Sequence, residues 1–325
     1  MPYLPAHRRP ALSGLTLSRG KLGPLAGQVN VKDRANIMTA ANRVILPAGL
    51  YFLATPIGTA RDITLRALDI LASADVLAAE DTRSLRKLMD IHGIALDGRT
   101  VLSYHDHSGD GQRARLLRAL EEGKSVAYAS EAGTPLIADP GYQLGWVASQ
   151  AGHLVTAAPG PSAVLAALAV SGLATDSFFF AGFAPSAKGA RQSYLRSLVD
   201  VPGTLVFYES PNRVAKSLAD MVEVLGPDRE AVMARELTKK FEEVRRAPLS
   251  ELASEMAERS LKGEVVLLVA RGEKVEIDET SLEDLLKSAL RSGSVKDAVA
   301  NVVEATGAKR RDVYQLALKL GKSEN

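Results

Sequence analysis

The side chains best suited to chemistry occur in segments that follow short apolar runs of the sequence. Proton-accepting groups stand at Glu80 and Asp81, at His105, at Glu209 and at Lys239. A carboxylate, an imidazole or an amine can each act as a general base, which typically contributes about 10² to 10⁴ to a rate. We therefore treat these five residues as catalytic candidates.

Other roles are open for the same residues. Asp81 or Thr82 could cap a helix, where acidic groups complement the helix dipole. His105 and His107 alternate along an extended segment, as metal ligands can, but no clear third ligand accompanies them. Lys239 could equally be a solvated surface residue. We predict no metal site.

A second feature is a set of loops that are rich in glycine and proline. The densest covers residues 130–141, and shorter ones cover 55–58 and 159–162. A further loop, at 208–210, follows a predicted strand of the second part of the chain. One such loop alone would more often be a tight turn, but open α/β sheets bind ligands where several strands end. The candidates for binding a cofactor are Pro56, Gly58, Gly133, Thr134, Pro135, Asp139, Pro140, Gly141, Pro159, Gly160 and Ser162.

The pattern also limits the kind of ligand. Neither a G-x-x-x-x-G-K-[ST] loop nor a G-x-G-x-x-G loop opens a predicted helix. Loops with restricted backbones can bring N–H and C=O groups close to a flat nucleoside. We therefore expect a ligand that is held by shape and backbone rather than through a pyrophosphate.

Alternating strands and amphipathic helices are needed to position these loops. In the first part of the chain we predict a helix with Asp62 as N-cap that runs to Ser73, and strands at 50–54, 76–79, 126–129 and 154–157. In the second part we predict a helix near 214–225 and strands at 178–180, 205–208, 231–234 and 265–270. The fold class is α/β, with a mainly parallel first sheet and antiparallel pairs in the second.

Three short helical patterns follow residue 273. Ser294 is a plausible N-cap for a helix through Glu304, Thr306 and Gly307 break that helix, and Ala308 starts the next one. Two helices joined by a short turn that contains glycine are typical of helix-turn-helix units. We predict a separate helical module at residues 279–325.

Composition excludes several classes of site. The chain has no cysteine, which excludes disulfides, thiolate metal sites and cysteine nucleophiles and fits a reducing, cytoplasmic location. The formal net charge of +2 gives no general field for polyanions, so nucleic acid would be bound by local patches. No apolar run is long enough to span a membrane. We interpret residues 1–48 as a basic, disordered extension, with an organellar transit peptide as the alternative.

The order of these motifs resembles the ribosomal RNA small subunit methyltransferase I family of the tetrapyrrole methylase superfamily. The resemblance covers about residues 49–271 and is carried by ATPIG at 54–58, DITLRA at 62–67, AAEDTR at 78–83, HDH at 105–107, GTPLIADPG at 133–141, FYES at 207–210 and ARELTK at 234–239. Three sites depart from the family pattern: Glu131 replaces a common Asp, Thr59-Ala60 a usual Asn-Leu, and Asn212 a frequent His.

The resemblance implies a fold and an activity. It implies two α/β domains, at residues 49–160 and 161–273, with S-adenosylmethionine in the cleft between them. It also implies a homodimer that methylates a ribose 2′-hydroxyl, in a cytidine of small-subunit ribosomal RNA. The alternatives are methylation of a corrin-type tetrapyrrole and a regulator that binds nucleoside or RNA without catalysis.

Basic residues near the predicted cleft and in the helical module are candidates for RNA contact. They are Arg83, Arg235, Lys309, Arg310 and Arg311. Cations at the start of the last helix oppose the helix dipole, so helix stability does not explain them, whereas phosphate contact does. A small helical cap with solvated cations is the alternative for the module, and an Arg235–Glu236 ion pair that closes the second sheet is the alternative for Arg235.

Overall fold

In the computed structural model, the described residues are 41–105, 110–272, 279–291, 294–306, 308 and 310–323. Most of the predicted basic extension lies outside this range, as do His107, Gly307 and Lys309. Within this range, no helix is both long and apolar enough to cross a membrane.

The first part of the described chain forms a parallel sheet of five strands. The strands are β1 (Gly49–Leu53), β2 (Val76–Ala79), β3 (Val101–Ser103), β4 (Ser125–Ala129) and β5 (Val155–Ala158). Four helices connect them: α1 (Leu65–Ser73), α2 (Thr82–Ile91), α3 (Asp110–Glu121) and α4 (Tyr142–Gln150). The strand order is β3-β2-β4-β1-β5. The loops after β4, β1 and β5 therefore lie side by side at one edge.

Helices cover both faces of this sheet, which explains why its strands read as continuous apolar runs. Successive side chains of a strand point to opposite faces. Along β1, Tyr51 and Leu53 join one buried cluster, and Leu50 and Phe52 join the cluster on the other side. Because β1 is buried on both faces, its position in the sheet is fixed. The starting point of the loop that follows it is fixed as well.

The second sheet is mixed. Its strands are β6 (Phe178–Phe183), β7 (Thr204–Glu209), β8 (Glu230–Arg235), β9 (Glu243–Pro248) and β10 (Val265–Val269), in the order β6-β7-β10-β8-β9. Only the β6–β7 pair is parallel. The accompanying helices are α5 (Ala163–Ser171), α6 (Lys188–Arg196), α7 (Val214–Leu225) and α8 (Leu249–Ala257).

An apolar contact joins the two sheets. Ile57, from the loop after β1, belongs to a buried cluster that contains Val164 of α5, Val206 of β7 and Leu237. The first sheet thus inserts one of its loops into the core of the second. The α/β fold class predicted from the sequence is confirmed.

Two details differ from the sequence prediction. The cap of α1 is Thr64, whose Oγ1 accepts from the Ala67 N–H at 3.2 Å, whereas Asp62 ends a short 3₁₀ turn at Ala60–Asp62. The sequence prediction also missed β3 and β9. β3 has only three residues, and β9 is an edge strand whose arginines and glutamate hide the apolar signal.

The predicted helical module is present after residue 278. It contains α9 (Glu279–Leu290), α10 (Val295–Thr306) and α11 (Arg310–Ser323), packed around Leu286, Val299 and Val313. The Ser294 cap is confirmed, because its Oγ accepts from the Asp297 N–H at 3.2 Å. Two boundaries were wrong: α10 continues past Glu304, and the described part of α11 starts at Arg310 rather than Ala308.

Candidate active site

Three loops are joined by hydrogen bonds at the carboxyl edge of the first sheet. The N–H of Thr55 donates to the carbonyl of Gly133 and the N–H of Gly133 donates back to the carbonyl of Thr55, both at 2.9 Å. Thr134 Oγ1 donates to the carbonyl of Pro161 at 2.9 Å. The loops that follow β1, β4 and β5 therefore form one continuous wall.

The loop after β4 has an unusual backbone. Gly133 has φ +81° and Gly141 has φ +115°, and the non-glycine residues Leu136 and Ala138 have φ 72° and 59°. Positive φ at a residue with a side chain costs about 1–3 kcal/mol and persists only where the surroundings enforce it. Here the Tyr128 hydroxyl donates to the carbonyl of Pro140 at 3.3 Å, which supports the turn from beneath. Strain that is held in this way is typical of functional loops.

A cavity of about 390 Å³ lies against this wall. Its volume falls in the usual range of small-molecule sites, about 300–1,000 Å³. The lining residues are Ile57, Asp62, Thr64, Gly160, Pro161, Ser162, Ala166 and Thr238. Two of the predicted cofactor residues, Gly160 and Ser162, are among them. The loops after β1 and β5 supply most of the lining, α5 supplies Ala166, and Thr238 comes from the segment after β8.

The glycine at 160 is needed for close approach of two loops. A Cβ at Gly160 would lie 3.0 Å from the Cβ of Ala54, which is tighter than ordinary contact. Ser162 is the N-cap of α5, and its Oγ accepts from the Leu165 N–H at 3.5 Å. The helix N-terminus is thereby directed toward the cavity wall.

Tyr208, at the end of β7, brings an aromatic group from the second domain. Its ring centroid is 4.9 Å from that of Phe180 and 5.6 Å from that of Phe183. Burial raises the pKa of Tyr208 to about 12, and the negative charge of Asp139 adds to the effect. Tyr208 is therefore neutral at physiological pH.

Asp81 serves as the N-cap of α2, which is one of the two roles that the sequence allows for it. Its Oδ1 accepts from the Arg83 N–H at 2.7 Å, and its Oδ2 accepts from the Arg83 guanidinium at 3.0 Å. These hydrogen bonds hold the pKa of Asp81 below its usual value. A carboxylate stabilised in this way is a weak base. The Arg83 side chain is otherwise open to solvent, with 91% of it exposed.

Glu209 is buried in a network of its own domain. One carboxylate oxygen accepts from Ser217 Oγ at 2.5 Å, and the other accepts from the Ser210 N–H at 2.8 Å and pairs with Arg213 at 3.2 Å. Only 1% of its side chain is exposed. These contacts anchor the start of α7 to the end of β7. The geometry gives Glu209 a structural role, and we do not retain it as a base.

Lys239 forms two ion pairs, with Glu236 Oε1 at 2.8 Å and with Glu264 Oε2 at 3.0 Å. Burial lowers the pKa of Lys239, but the hydrogen bonds to the two carboxylates outweigh it and the net shift is upward. The amine is therefore protonated at neutral pH. A protonated amine cannot accept the proton of a hydroxyl.

The suggested Arg235–Glu236 ion pair is wrong. Arg235 pairs with Glu243 at 3.0 Å, and these two residues are partners in the β8–β9 ladder. Glu236 follows β8 and turns to Lys239 instead. With its guanidinium engaged in the sheet, Arg235 is a poorer candidate for RNA contact than Arg83.

Glu80 and His105 lie on neighbouring strand ends. The N–H of Glu80 donates to the carbonyl of Ala129 at 3.4 Å, and the N–H of Tyr104 donates to the carbonyl of Ala79 at 2.9 Å. Glu80 therefore lies between the strand that precedes the 130–141 loop and the segment that contains His105. Both residues are partly exposed. Both stay candidates for proton transfer.

We expect Glu236→Gln to lower the melting temperature at pH 7. The pKa of Glu236 is lowered mainly by the hydrogen bond from Lys239, so its carboxylate stabilises the fold while ionised. A group with a depressed pKa contributes above its unfolded value, and the contribution is lost as the pH falls through the folded value. Thermal unfolding should therefore show a difference between variant and wild type that shrinks below about pH 4.5. A constant difference from pH 7 to pH 3 would contradict this assignment.

Several residues of the site were not among the predicted cofactor residues. Ile57 and Pro161 lie within predicted Gly/Pro loops, and Asp62 and Thr64 lie in the DITLRA segment of the family resemblance. Thr238 has no glycine or proline beside it, but it lies in the ARELTK segment that carries the family resemblance. Among the described residues, no group of three or more His, Asp or Glu side chains could hold a metal ion.

Comparison with known proteins agrees with this architecture. Residues 49–253 match the family of Tetrapyrrole (Corrin/Porphyrin) Methylases, and residues 276–321 match the RsmI C-terminal HTH domain. Among solved structures, the methyltransferase CobJ has a TM-score of 0.54 at 20% identity, over 69% of this chain and 94% of that one. Diphthine synthase has a TM-score of 0.53 at 15% identity, over 68% of this chain and 89% of that one. These likenesses concern the fold alone.

Curated relatives are much more similar in sequence. Ribosomal RNA small subunit methyltransferase I of Mesorhizobium japonicum is 45% identical over 276 residues, which are 85% of this chain and 93% of the relative. The protein of the same name from Vibrio cholerae is 44% identical, over 83% of this chain and 94% of the relative. The chain belongs to the ribosomal RNA small subunit methyltransferase I family of the tetrapyrrole methylases.

Proposed function

We propose that this protein transfers a methyl group from S-adenosylmethionine to the 2′-hydroxyl of a ribose, in a cytidine of small-subunit ribosomal RNA. The observation that carries the proposal is the cavity of about 390 Å³ between the two domains, which is lined by the loops after β1 and β5. Hydrogen bonds join both of these loops to the loop after β4. Membership in a family whose relatives are named for small-subunit ribosomal RNA supports the choice of acceptor.

The residues around the cavity fit a nucleoside cofactor. Gly160 lines the cavity at a position where a Cβ would be crowded, and Gly133 packs closely behind the lining residue Ile57. Ile57 and Ala166 add apolar surface, and Asp62 adds a carboxylate. When bound, S-adenosylmethionine supplies an electrophilic methyl group on a sulfonium. The loops hold and orient the reactants, and good orientation alone can supply about 7–11 kcal/mol of the barrier.

The ribose hydroxyl proton is removed at the edge of the sheet that contains Glu80 and His105. Asp81 is stabilised as an anion, Lys239 is held as a cation, and Tyr208 keeps its proton up to about pH 12. A general base with an unsuitable pKa contributes little. We propose Glu80 or His105 as the group that receives the ribose hydroxyl proton.

The basic residues of the helical module suit RNA better than a corrin-type substrate. Arg310 and Arg311 open α11, and both are exposed. Phosphate contacts from such cations position a protein on RNA. Arg83, near the cleft, has the same exposure. The tetrapyrrole alternative lacks a comparable observation in its favour.

We further propose that the protein acts in the cytoplasm as a homodimer. Phe178, Phe179 and Phe183 of the edge strand β6 are 43%, 42% and 54% exposed, and an apolar edge of this kind favours burial against a second copy. Phe179→Glu is expected to convert the dimer to a monomer, measured by light scattering. Ile91→Glu, at an exposed apolar residue of α2, is the matched control. A wild-type protein that is monomeric at micromolar concentration would contradict the proposal.

The methylated position can be tested directly. Small subunits isolated from cells that lack the enzyme are incubated with protein and S-adenosylmethionine, and their RNA is then digested to nucleosides. Mass spectrometry should detect 2′-O-methylcytidine in an amount near one per subunit. A methyl group found only on a base would exclude ribose methylation.

A further inference from the structure

Two threonines from different domains bond to each other beside the cavity. Thr59 Oγ1 donates to the carbonyl of Thr238 at 2.5 Å, and the N–H of Thr59 donates to Thr238 Oγ1 at 3.1 Å. The two residues are 179 positions apart in the chain. Thr59 donates in both bonds, and Thr238 accepts in both. We call these two hydrogen bonds the Thr59–Thr238 clasp.

The loop that presents Thr238 is held in a strained conformation. Glu236 has φ 50° and Thr238 has φ 64°, which is unfavourable for a β-branched residue. The Thr238 N–H donates to Glu242 Oε2 at 2.6 Å, and Lys239 bridges Glu236 and Glu264. Neighbours therefore keep the loop in this shape, and the hydroxyl and carbonyl of Thr238 are presented together to Thr59.

The opposite side of the clasp is equally constrained. A Cβ at Gly58 would lie 2.5 Å from Thr238 Oγ1 and 2.6 Å from Lys239 Cγ. Only a glycine permits this approach of the two loops. The next residue back, Ile57, is buried in the core of the second domain. The loop after β1 is thus anchored by packing at Ile57 and by hydrogen bonds at Thr59.

The clasp also borders the cavity, which Ile57 and Thr238 both line. Here we propose that the Thr59–Thr238 clasp is a positioning device, which sets the separation of the two domains around the bound cofactor. Thr59 and Thr238 act through the placement of the cavity walls and do not themselves react. This inference rests on the proposed function, because it takes the cavity to be the cofactor site.

Isosteric substitutions test the clasp. Thr59→Val removes the donor to the Thr238 carbonyl, and Thr238→Val removes the acceptor while keeping the β-branched shape at its strained backbone. Each is expected to weaken binding of S-adenosylhomocysteine about threefold to tenfold, the effect of one neutral hydrogen bond. Because both hydrogen bonds cross the same junction, we expect the double variant to lose less binding free energy than the two single variants lose in sum. Thr59→Ser keeps the hydroxyl and should restore wild-type affinity.

Calorimetry on the full chain measures these affinities, with single-turnover methyl transfer as a second readout. A role limited to stability would lower the melting temperature but leave the dissociation constant and the single-turnover rate of the folded protein unchanged. Thr100→Val, at an exposed threonine before β3, is the control and should change neither. Unchanged affinity and rate in folded Thr59→Val and Thr238→Val proteins would overturn the proposal.

A readout without cofactor separates the clasp from the proposed function. Hydrogen–deuterium exchange of the cofactor-free protein should be faster in residues 236–242 of Thr59→Val than of wild type, and Thr59→Ser should reverse the change. Equal exchange in all three proteins would refute the clasp even if the cofactor binds. If wild type fails to bind S-adenosylhomocysteine, the cofactor assignment fails, and the exchange result then decides whether the clasp joins the domains.

Discussion

Gly133→Val is expected to weaken S-adenosylmethionine binding by about 100-fold or more, equivalent to about 2.7 kcal/mol. Gly133 has φ +81°, a conformation that a β-branched residue adopts only at considerable cost. Its added Cβ would lie 3.3 Å from Ile57 Cγ2, so Ile57 would have to move from the contact between the domains. A change of the backbone at residue 133 or a displacement of Ile57 would separate Gly133 from Thr55. The loop after β1, which lines the cavity, would then shift. Isothermal calorimetry measures the loss.

Gly152→Val is the matched control. Gly152 has φ +80°, and a Cβ there would meet nothing within 4 Å. The two variants therefore share the backbone strain and differ in their distance from the cavity. We expect Gly152→Val to lose stability but to keep its affinity for the cofactor. If folded Gly133→Val binds as tightly as Gly152→Val, the loop after β4 does not form the cofactor wall.

Deletion of residues 279–325 is expected to separate RNA binding from cofactor binding. The core of the helical module is its own cluster around Leu286, Val299 and Val313, so the two α/β domains keep their packing without it. Affinity for the cofactor should stay within about twofold. Affinity for small-subunit RNA should fall at least tenfold at low salt, because cationic contacts to phosphate dominate such binding. Filter binding across a salt series measures this fall.

Alanine substitution of Lys309, Arg310 and Arg311 is the narrower companion to the deletion. Each lost phosphate contact reduces the slope of log affinity against log salt by about 0.7 to 0.9. We expect the triple variant to bind RNA with a shallower slope and an unchanged cofactor affinity. If the truncated and full-length proteins methylate limiting RNA at equal rates at both low and high salt, the module is structural only.

Local structure was predictable from the sequence where burial decides it. β2 begins and ends at the predicted residues, because a short strand covered on both faces reads as an uninterrupted apolar run. β9 escaped detection because it is an edge strand in which Glu243, Arg245 and Arg246 interrupt the apolar pattern. Glu243 and Arg245 form ion pairs there. The cap of α1 was displaced by two residues, since Asp62 and Thr64 are both good caps and only the structure distinguishes them.

The site was predictable only in part, because some of its residues are placed by tertiary contacts rather than by local sequence. Glycines and prolines mark loops in any sequence, so the walls made by the first sheet could be found. Thr238 reaches the cavity through the docking of two domains, which no periodicity encodes. Glu209 looked chemical by type, but its burial and three partners depend on the position of α7. Predicting such roles requires the tertiary contacts.

The most direct test of the central claim is transfer of a labelled methyl group from S-adenosylmethionine to three acceptors offered separately. The acceptors are small ribosomal subunits, naked small-subunit ribosomal RNA and a precorrin. We predict label in the RNA of at least one ribosomal acceptor, none in the precorrin, and loss of the signal with Gly133→Val. Label that enters the precorrin alone would contradict the account, as would cofactor binding without transfer to either form of the RNA.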